Sequence, residues 1–248
     1  MGKSRMLQEV QRRVRMRRGQ VVAVGGRQGE RDNPFALLAD LVDGLARCHG
    51  ALGATPASMT ELATLVPRLA DGRSTSRLVG MDGDGDLQIR RAQACVDLLG
   101  AVADESPLVL LIDDLHWADA STCDLLAYLG TRLGHAATLI IGSYRRSTVL
   151  ASPQPLLPIT LRLQAAGVCQ ELALSPLTRD DIAAYLEKLF PHHRLPDDFA
   201  DLVHERTEGH PLFLSDLVRY LVDTHVLAME AGTWRLLRTA ADVRRVIP

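Results

Sequence analysis

The run "PLVLLIDD" (107–114) constrains the fold more than any other stretch of the 248-residue chain. It is continuously apolar and ends in two acids. A strand with one face in water alternates polar and apolar residues. This one does not, so both of its faces must be covered, which is the pattern of an inner strand in a parallel sheet flanked by helices. "QVVAVGG" (20–26) and "ATLIIGSYR" (137–145) read as companion strands, and "VCQELALSPL" (168–177) as a further one. Helical stretches fall between them. In "KSRMLQEVQRRVRMRR" (3–18), Met6, Leu7, Val10 and Val14 share one face and the opposite face is heavily basic. "NPFALLADLVDGLARCHG" (33–50), "LQIRRAQACVDLLGAVADE" (87–105) and "ADASTCDLLAYLGTRLG" (118–134) follow the same logic. Strands alternating with helices predict an α/β fold with a parallel sheet. Between 51 and 86 one helix is expected, "SMTELATLVPRLAD", then a polar loop. The loop's "MDGDGD" lacks the closing Glu of a calcium loop and reads as solvated.

After Leu177 the pattern turns helical. "TRDDIAAYLEKLF" opens with Thr178 and Asp181 at capping-box spacing. Two helices are expected near 197–207 and 211–224, then a small hairpin over 225–237. "TAADVRRVIP" begins another helical pattern. The expected organisation is an α/β core over 1–177, a helical subdomain over 178–224, and a hairpin with the start of a following segment over 225–248.

Composition excludes more than it assigns. Hydrophobic residues are 47% and charged residues 23%, ordinary for a globular protein, and the formal net charge of −2 gives no overall field that would draw nucleic acid. Cys48, Cys95, Cys123 and Cys169 are too scattered for a zinc site and are expected as free thiols in a reducing cytoplasm. No apolar run reaches membrane-spanning length, and no secretory signal opens the chain. His192, His193 and His204 read as surface residues.

Two stretches can carry chemistry. Asp113 and Asp114 close a buried strand in the Walker B pattern, where one carboxylate holds hydrated Mg²⁺ and the next orients or deprotonates an attacking water. The C-terminal edge of a parallel sheet is also where such folds bind ligands. Gly2-Lys3-Ser4 is the end of a phosphate loop, G-x-x-x-x-G-K-[ST]. There Lys reaches the β/γ-phosphates, Ser ligates Mg²⁺ and the helix N-terminus cradles phosphate. A helix starts directly after it, and the acidic strand follows in the required order.

"LVLLIDDLHWADASTCDLLAYL" together with "TEGHPLFLSDLVRYL" resembles the STAND class of AAA+-related ATPases, and more narrowly the ATPase module of large bacterial LuxR-type transcriptional regulators and related adenylate-cyclase-linked proteins. The run Asp113 to Asp119, D-D-L-H-W-A-D, carries most of that resemblance. "SYR" (143–145) is similar to the family's T-x-R, with Ser for Thr, and Gly209-His210-Pro211 to its G-x-P. The resemblance implies a nucleotide-driven switch with slow hydrolysis, using ATP/ADP and Mg²⁺. It implies Gly2, Lys3 and Ser4 at phosphate, Ser4 and Asp113 at Mg²⁺, Asp114 as catalytic acid, Arg145 sensing the γ-phosphate, and Pro211 near the adenine in a helical lid. His116, Trp117 and Asp119, just past the acidic pair, read either as a structural turn with Asp119 at a helix N-terminus or as taking a direct part in the chemistry. Self-association or fusion to an output domain is implied, without direct nucleic-acid or membrane contact from this chain.

The resemblance also implies an apolar strand and G-x-x-x-x ahead of Gly2, with Met1 standing where the family has an internal apolar residue. A chain lacking that central strand is expected to be an impaired ATPase. The competing reading is therefore a degenerate, non-catalytic fragment or scaffold that keeps the fold without nucleotide. A replication-type AAA+ ATPase fits less well, because the D-D-L-H-W-A-D run is not its signature and no arginine finger is recognisable.

Overall fold

The computed structural model describes residues 2–29, 35–70, 84–134, 136–151 and 154–238. In chain order the elements are α1 (Lys3–Met16), β1 (Gln20–Gly25), α2 (Ala36–Leu45), α3 (Pro56–Ala63), α4 (Asp84–Glu105), β2 (Leu108–Asp113), α5 (Ala120–Arg132), β3 (Thr138–Gly142), α6 (Arg146–Ala151) and α7 (Leu156–Ala165). They continue with α8 (Arg179–Leu189), α9 (Phe199–Thr207), α10 (Pro211–Asp223), β4 (Leu227–Glu230) and β5 (Thr233–Leu236). Lys3–Glu171 form one compact unit and the chain from Leu172 onward a second.

In the first unit β1, β2 and β3 form a parallel sheet in that spatial order, so β2 is central. Leu108 to Ile112 are all buried, as a strand covered on both faces requires. The period of two sorts the side chains. Val109 and Leu111 of β2, with Val21 and Ile141, meet Leu7, Val10 and Val14 of α1. Val22, Leu108 and Leu110 face a larger core with Leu41 and Leu45 of α2, Leu62 of α3, Leu98 and Leu99 of α4, and Leu125 and Leu129 of α5. Each fully buried Leu contributes about 1.5–3 kcal/mol relative to exposure. Ile112 anchors a third cluster with Leu115, Cys123, Val149, Leu156 and Ile159. The outer edge of β3 has no strand partner among the described residues, and Leu139 on it is 54% exposed.

Several expectations need correction. The stretch 168–177 forms no strand: it is irregular and mostly exposed, with Leu172 68% exposed. A strand is stabilised by its ladder, and no described neighbour offers one there. The helix expected over 58–71 is two pieces, α3 and a 3₁₀ turn at Pro67–Ala70. Pro67 has no N–H to donate to a helix and disfavours helical backbone at the residue before it. α3 starts earlier than expected because Thr55 accepts a hydrogen bond from Ser58 N at 3.2 Å, with Pro56 in the first turn. α2 ends at Leu45, short of the 33–50 expected. α6 and α7 were not foreseen. The first half of the "MDGDGD" run falls outside the described residues and its last three residues open α4; "TAADVRRVIP" falls wholly outside them.

In the second unit Ile182 and Leu186 of α8, Phe199, Leu202 and Val203 of α9 and Leu214, Leu217, Val218 and Leu221 of α10 share a core, closed by Leu227 of the antiparallel β4–β5 hairpin. The capping box is present: Thr178 Oγ accepts from Asp181 N at 3.1 Å, and Thr178 N donates to Asp181 Oδ2 at 2.9 Å. Gly209 has φ +68 and its carbonyl accepts from Leu177 N at 2.9 Å. A Cβ there would collide with Leu177 backbone, so the glycine of G-x-P is required by geometry. Among the described residues no helix is long and apolar enough to cross a membrane.

Candidate functional site

The C-terminal ends of β1, β2 and β3 meet at one point. The register pairs Gly25 with Asp113 and Ile112 with Gly142, so Ser143 follows directly beside Asp113. Ser143 N donates to Ile112 O at 2.9 Å, which continues the ladder by one residue. Ser143 Oγ, buried, donates to Asp113 Oδ1. Asp114 N donates to Ser143 Oγ at 3.1 Å and to Asp113 Oδ1 at 3.1 Å. A charged carboxylate held by two donors is fixed in direction.

At Asp114 the chain turns sharply, with φ 53 and ψ 45, left-handed backbone that a non-glycine residue adopts only under constraint. The constraint is visible. Gly26 N donates to Asp113 O at 2.9 Å, and Leu115 N donates to Ser143 O at 2.7 Å. Two glycines admit the turn: a Cβ on Gly26 would lie 2.8 Å from Asp114 O and 3.0 Å from Trp117 Cβ, and one on Gly142 would strike the Leu115 side chain. A 3₁₀ turn, Leu115–Trp117, then leads to Asp119, which caps α5. Asp119 Oδ1 accepts from Thr122 N at 3.0 Å, and Asp119 Oδ2 accepts from Thr122 Oγ at 2.7 Å. Asp119 and Trp117 thus serve the turn, as read from sequence.

His116 is 1% exposed and lies within this turn. Its Nδ1 is shielded from solvent, has no hydrogen-bond partner among the described residues, and sits 3.6 Å from Asp114 Oδ1. Burial pushes the imidazole below its ordinary range. Asp114 opposes that shift, Arg145 and Lys3 add to it, and Asp113 opposes it. One buried ring therefore feels both acids, the lysine of the phosphate motif and the arginine of the third strand's end. Lys3, Asp113, Asp114 and Arg145 all lie within electrostatic reach of it.

Lys3 and Ser4 are the first two residues of α1. Lys3 is half-buried, Ser4 is exposed, and neither side chain has a hydrogen-bond partner among the described residues. Gly2 precedes them with φ +71. Arg145 is exposed just before α6. Pro211 belongs to the second unit, at the first position of α10, where its missing N–H costs nothing. His210 caps the same helix, its Nδ1 accepting from Leu212 N at 3.3 Å, with its ring stacked on Phe213 at 4.4 Å. His192 is exposed, and His193 and His204 are half-buried. Cys48, Cys95 and Cys169 are free thiols, and burial pushes the Cys95 thiol up to about 12.

Ser143 enters the sequence reading only as the first residue of the T-x-R-like run; its pairing with Asp113 was not foreseen. Two adjacent carboxylates and nearby hydroxyls form an all-oxygen donor set suited to a hard divalent cation such as Mg²⁺. The neighbouring Lys3 and Arg145 give positive charge suited to phosphate. The residues present therefore fit a magnesium nucleotide. Among the described residues there is no cluster of three His, Cys, Asp or Glu side chains that could hold a metal ion.

Residues 1–141 match the AAA ATPase domain family. A protein of Rhizobium meliloti described as uncharacterized is 28% identical over 255 aligned residues, covering 96% of this chain. The chain spans 23% of that relative's length.

Proposed function

The chain belongs to the AAA ATPase domain family, and from that premise we propose that it is the ATP-binding module of a STAND-type switch, of the kind built into LuxR-type transcriptional regulators. The observation that carries the proposal is the Asp113–Asp114 pair at the ends of three parallel strands, with Asp113 aligned by Ser143 and the Asp114 amide. Bound Mg²⁺ would neutralise charge on the phosphates. Asp113, aligned by Ser143, and Ser4 would hold that cation. Lys3 would hold the β/γ-phosphates from the start of α1. Asp114 would orient the attacking water and receive its proton. Arg145 would donate to the γ-phosphate. Pro211, at the head of a helical lid over 178–224, would pack near the adenine and couple nucleotide state to lid position. The core would extend over 1–177, and 225–248 would lead toward an output segment. ATP would favour a self-associating state and ADP a closed one.

A second reading is a scaffold that keeps the fold without nucleotide. One observation favours it: no described partner holds the Lys3 or Ser4 side chain. Equilibrium binding of a fluorescent ATP analogue with Mg²⁺, followed by turnover, separates the two. The switch reading expects saturable binding that is abolished in Lys3→Ala, with turnover lost in Asp113→Ala and in Asp114→Ala. Absence of binding to the wild-type chain would favour the scaffold, and unchanged hydrolysis in the double Asp variant would sink the site assignment.

A further inference from the structure

We propose that His116 is a positioning residue: its Nδ1–H donates to the Asp114 carboxylate and fixes the direction in which that carboxylate points. The effect on rate rests on the hydrolytic reading above; the hydrogen bond itself does not.

A buried ring nitrogen without a partner is unfavourable, and His116 Nδ1 is such an atom. The acceptor beside it, Asp114 Oδ1 at 3.6 Å, is a few tenths of an ångström beyond a hydrogen bond. The ring is buried on a pinned stretch of backbone. It lies 4.9 Å from the Trp117 ring, centre to centre. The backbone around it is pinned by Leu115 N to Ser143 O at 2.7 Å, Trp117 N to Asp114 O at 2.9 Å and Ala118 N to Leu115 O at 3.0 Å. The Asp114 side chain is 36% exposed and can rotate. A small rotation of the carboxylate toward Nδ1 completes the pair.

The left-handed turn at Asp114 makes this possible. It reverses the chain so that residues 114 and 116 face each other within one 3₁₀ turn. Burial favours the neutral imidazole, which carries one N–H. The carboxylate facing Nδ1 selects the tautomer with the proton there, as an imidazole's hydrogen-bond partner does. Asp113 needs no such help, because Ser143 and the Asp114 amide already hold it. Without His116 the second acid of the pair would have no side-chain partner among the described residues.

Two measurements on the whole chain test this. Nitrogen NMR of imidazole-labelled protein should show His116 as the Nδ1–H tautomer, with that signal displaced in Asp114→Asn. An Nε2–H tautomer, or a signal indifferent to Asp114→Asn, would overturn the proposal. In single-turnover Mg·ATP hydrolysis, His116→Leu should lower the rate about 10–100-fold while leaving the ATP Kd within about twofold. His116→Asn, whose amide can place an N–H near the position of Nδ1, should recover most of that loss. A His116→Asn variant as slow as His116→Leu, or a His116→Leu variant as fast as wild type, would overturn it. If the wild-type chain neither binds nor hydrolyses ATP, the switch reading fails and the tautomer alone decides the hydrogen bond.

Discussion

At the acidic end of the site, the Asp113 carboxylate is held by Ser143 and the Asp114 amide, and the backbone turn at Asp114 is held by the strand ends. At the phosphate end, Lys3 and Ser4 open α1 with no side-chain partner among the described residues. The first is organised before any ligand arrives; the second offers a helix N-terminus and a cation that a phosphate would have to organise. The difference shows where stability and function are coupled. Substitutions at the acidic end should affect folding and chemistry together. Substitutions at the phosphate end should affect binding alone.

The sharpest way to break this contrast is Gly26→Val. Its Cβ would meet Asp114 O and Trp117, and overpacking against backbone should destabilise by about 2–3 kcal/mol. A urea midpoint equal to wild type would mean that the turn is softer than drawn. Asp119→Ala removes a buried cap that serves both Thr122 N and Thr122 Oγ, with an expected loss of about 1–2 kcal/mol by denaturant unfolding. Ser143→Ala should lose about 1 kcal/mol and should also weaken Mg²⁺-dependent nucleotide binding, a paired effect that neither stability nor calorimetry alone would reveal. Lys3→Ala should leave the unfolding midpoint of the free chain within about 0.5 kcal/mol yet remove the stabilisation that added Mg·ATP confers.

The smallest effect lies on α1 itself. Arg12 and then Arg13 hold the Glu9 carboxyl down to about 2 from an ordinary 4.5. A depressed folded value means that its contribution is present above about 4.5 and is lost as pH falls toward about 2. Glu9 is exposed to solvent, so the change should register in its own NMR titration and barely in the unfolding curve.

β2 was legible because every residue from Leu108 to Ile112 is apolar and Asp113 closes it. Asp119 and the Thr178–Asp181 box were legible because caps are local chemistry. Ser143 as the partner of Asp113 was not, because it depends on parallel register across 30 residues. The orphaned nitrogen of His116 was hidden for the same reason: burial is a property of the assembled strand ends. The stretch 168–177 has strand-like apolar residues, yet a ladder needs a second strand, and sequence pattern reports only one side of that bargain. α7 was masked by its prolines. Pro158 sits within the first turn, where the lost donor has no intrahelical acceptor.

The bare outer edge of β3 has a consequence in solution. Thr138 to Gly142 present a row of ladder groups with an exposed Leu139 and no described strand beside them. Such an edge accepts any extended chain that reaches it. Left uncovered, that edge would pair between molecules, at a rate that rises with protein concentration even where the fold itself is intact.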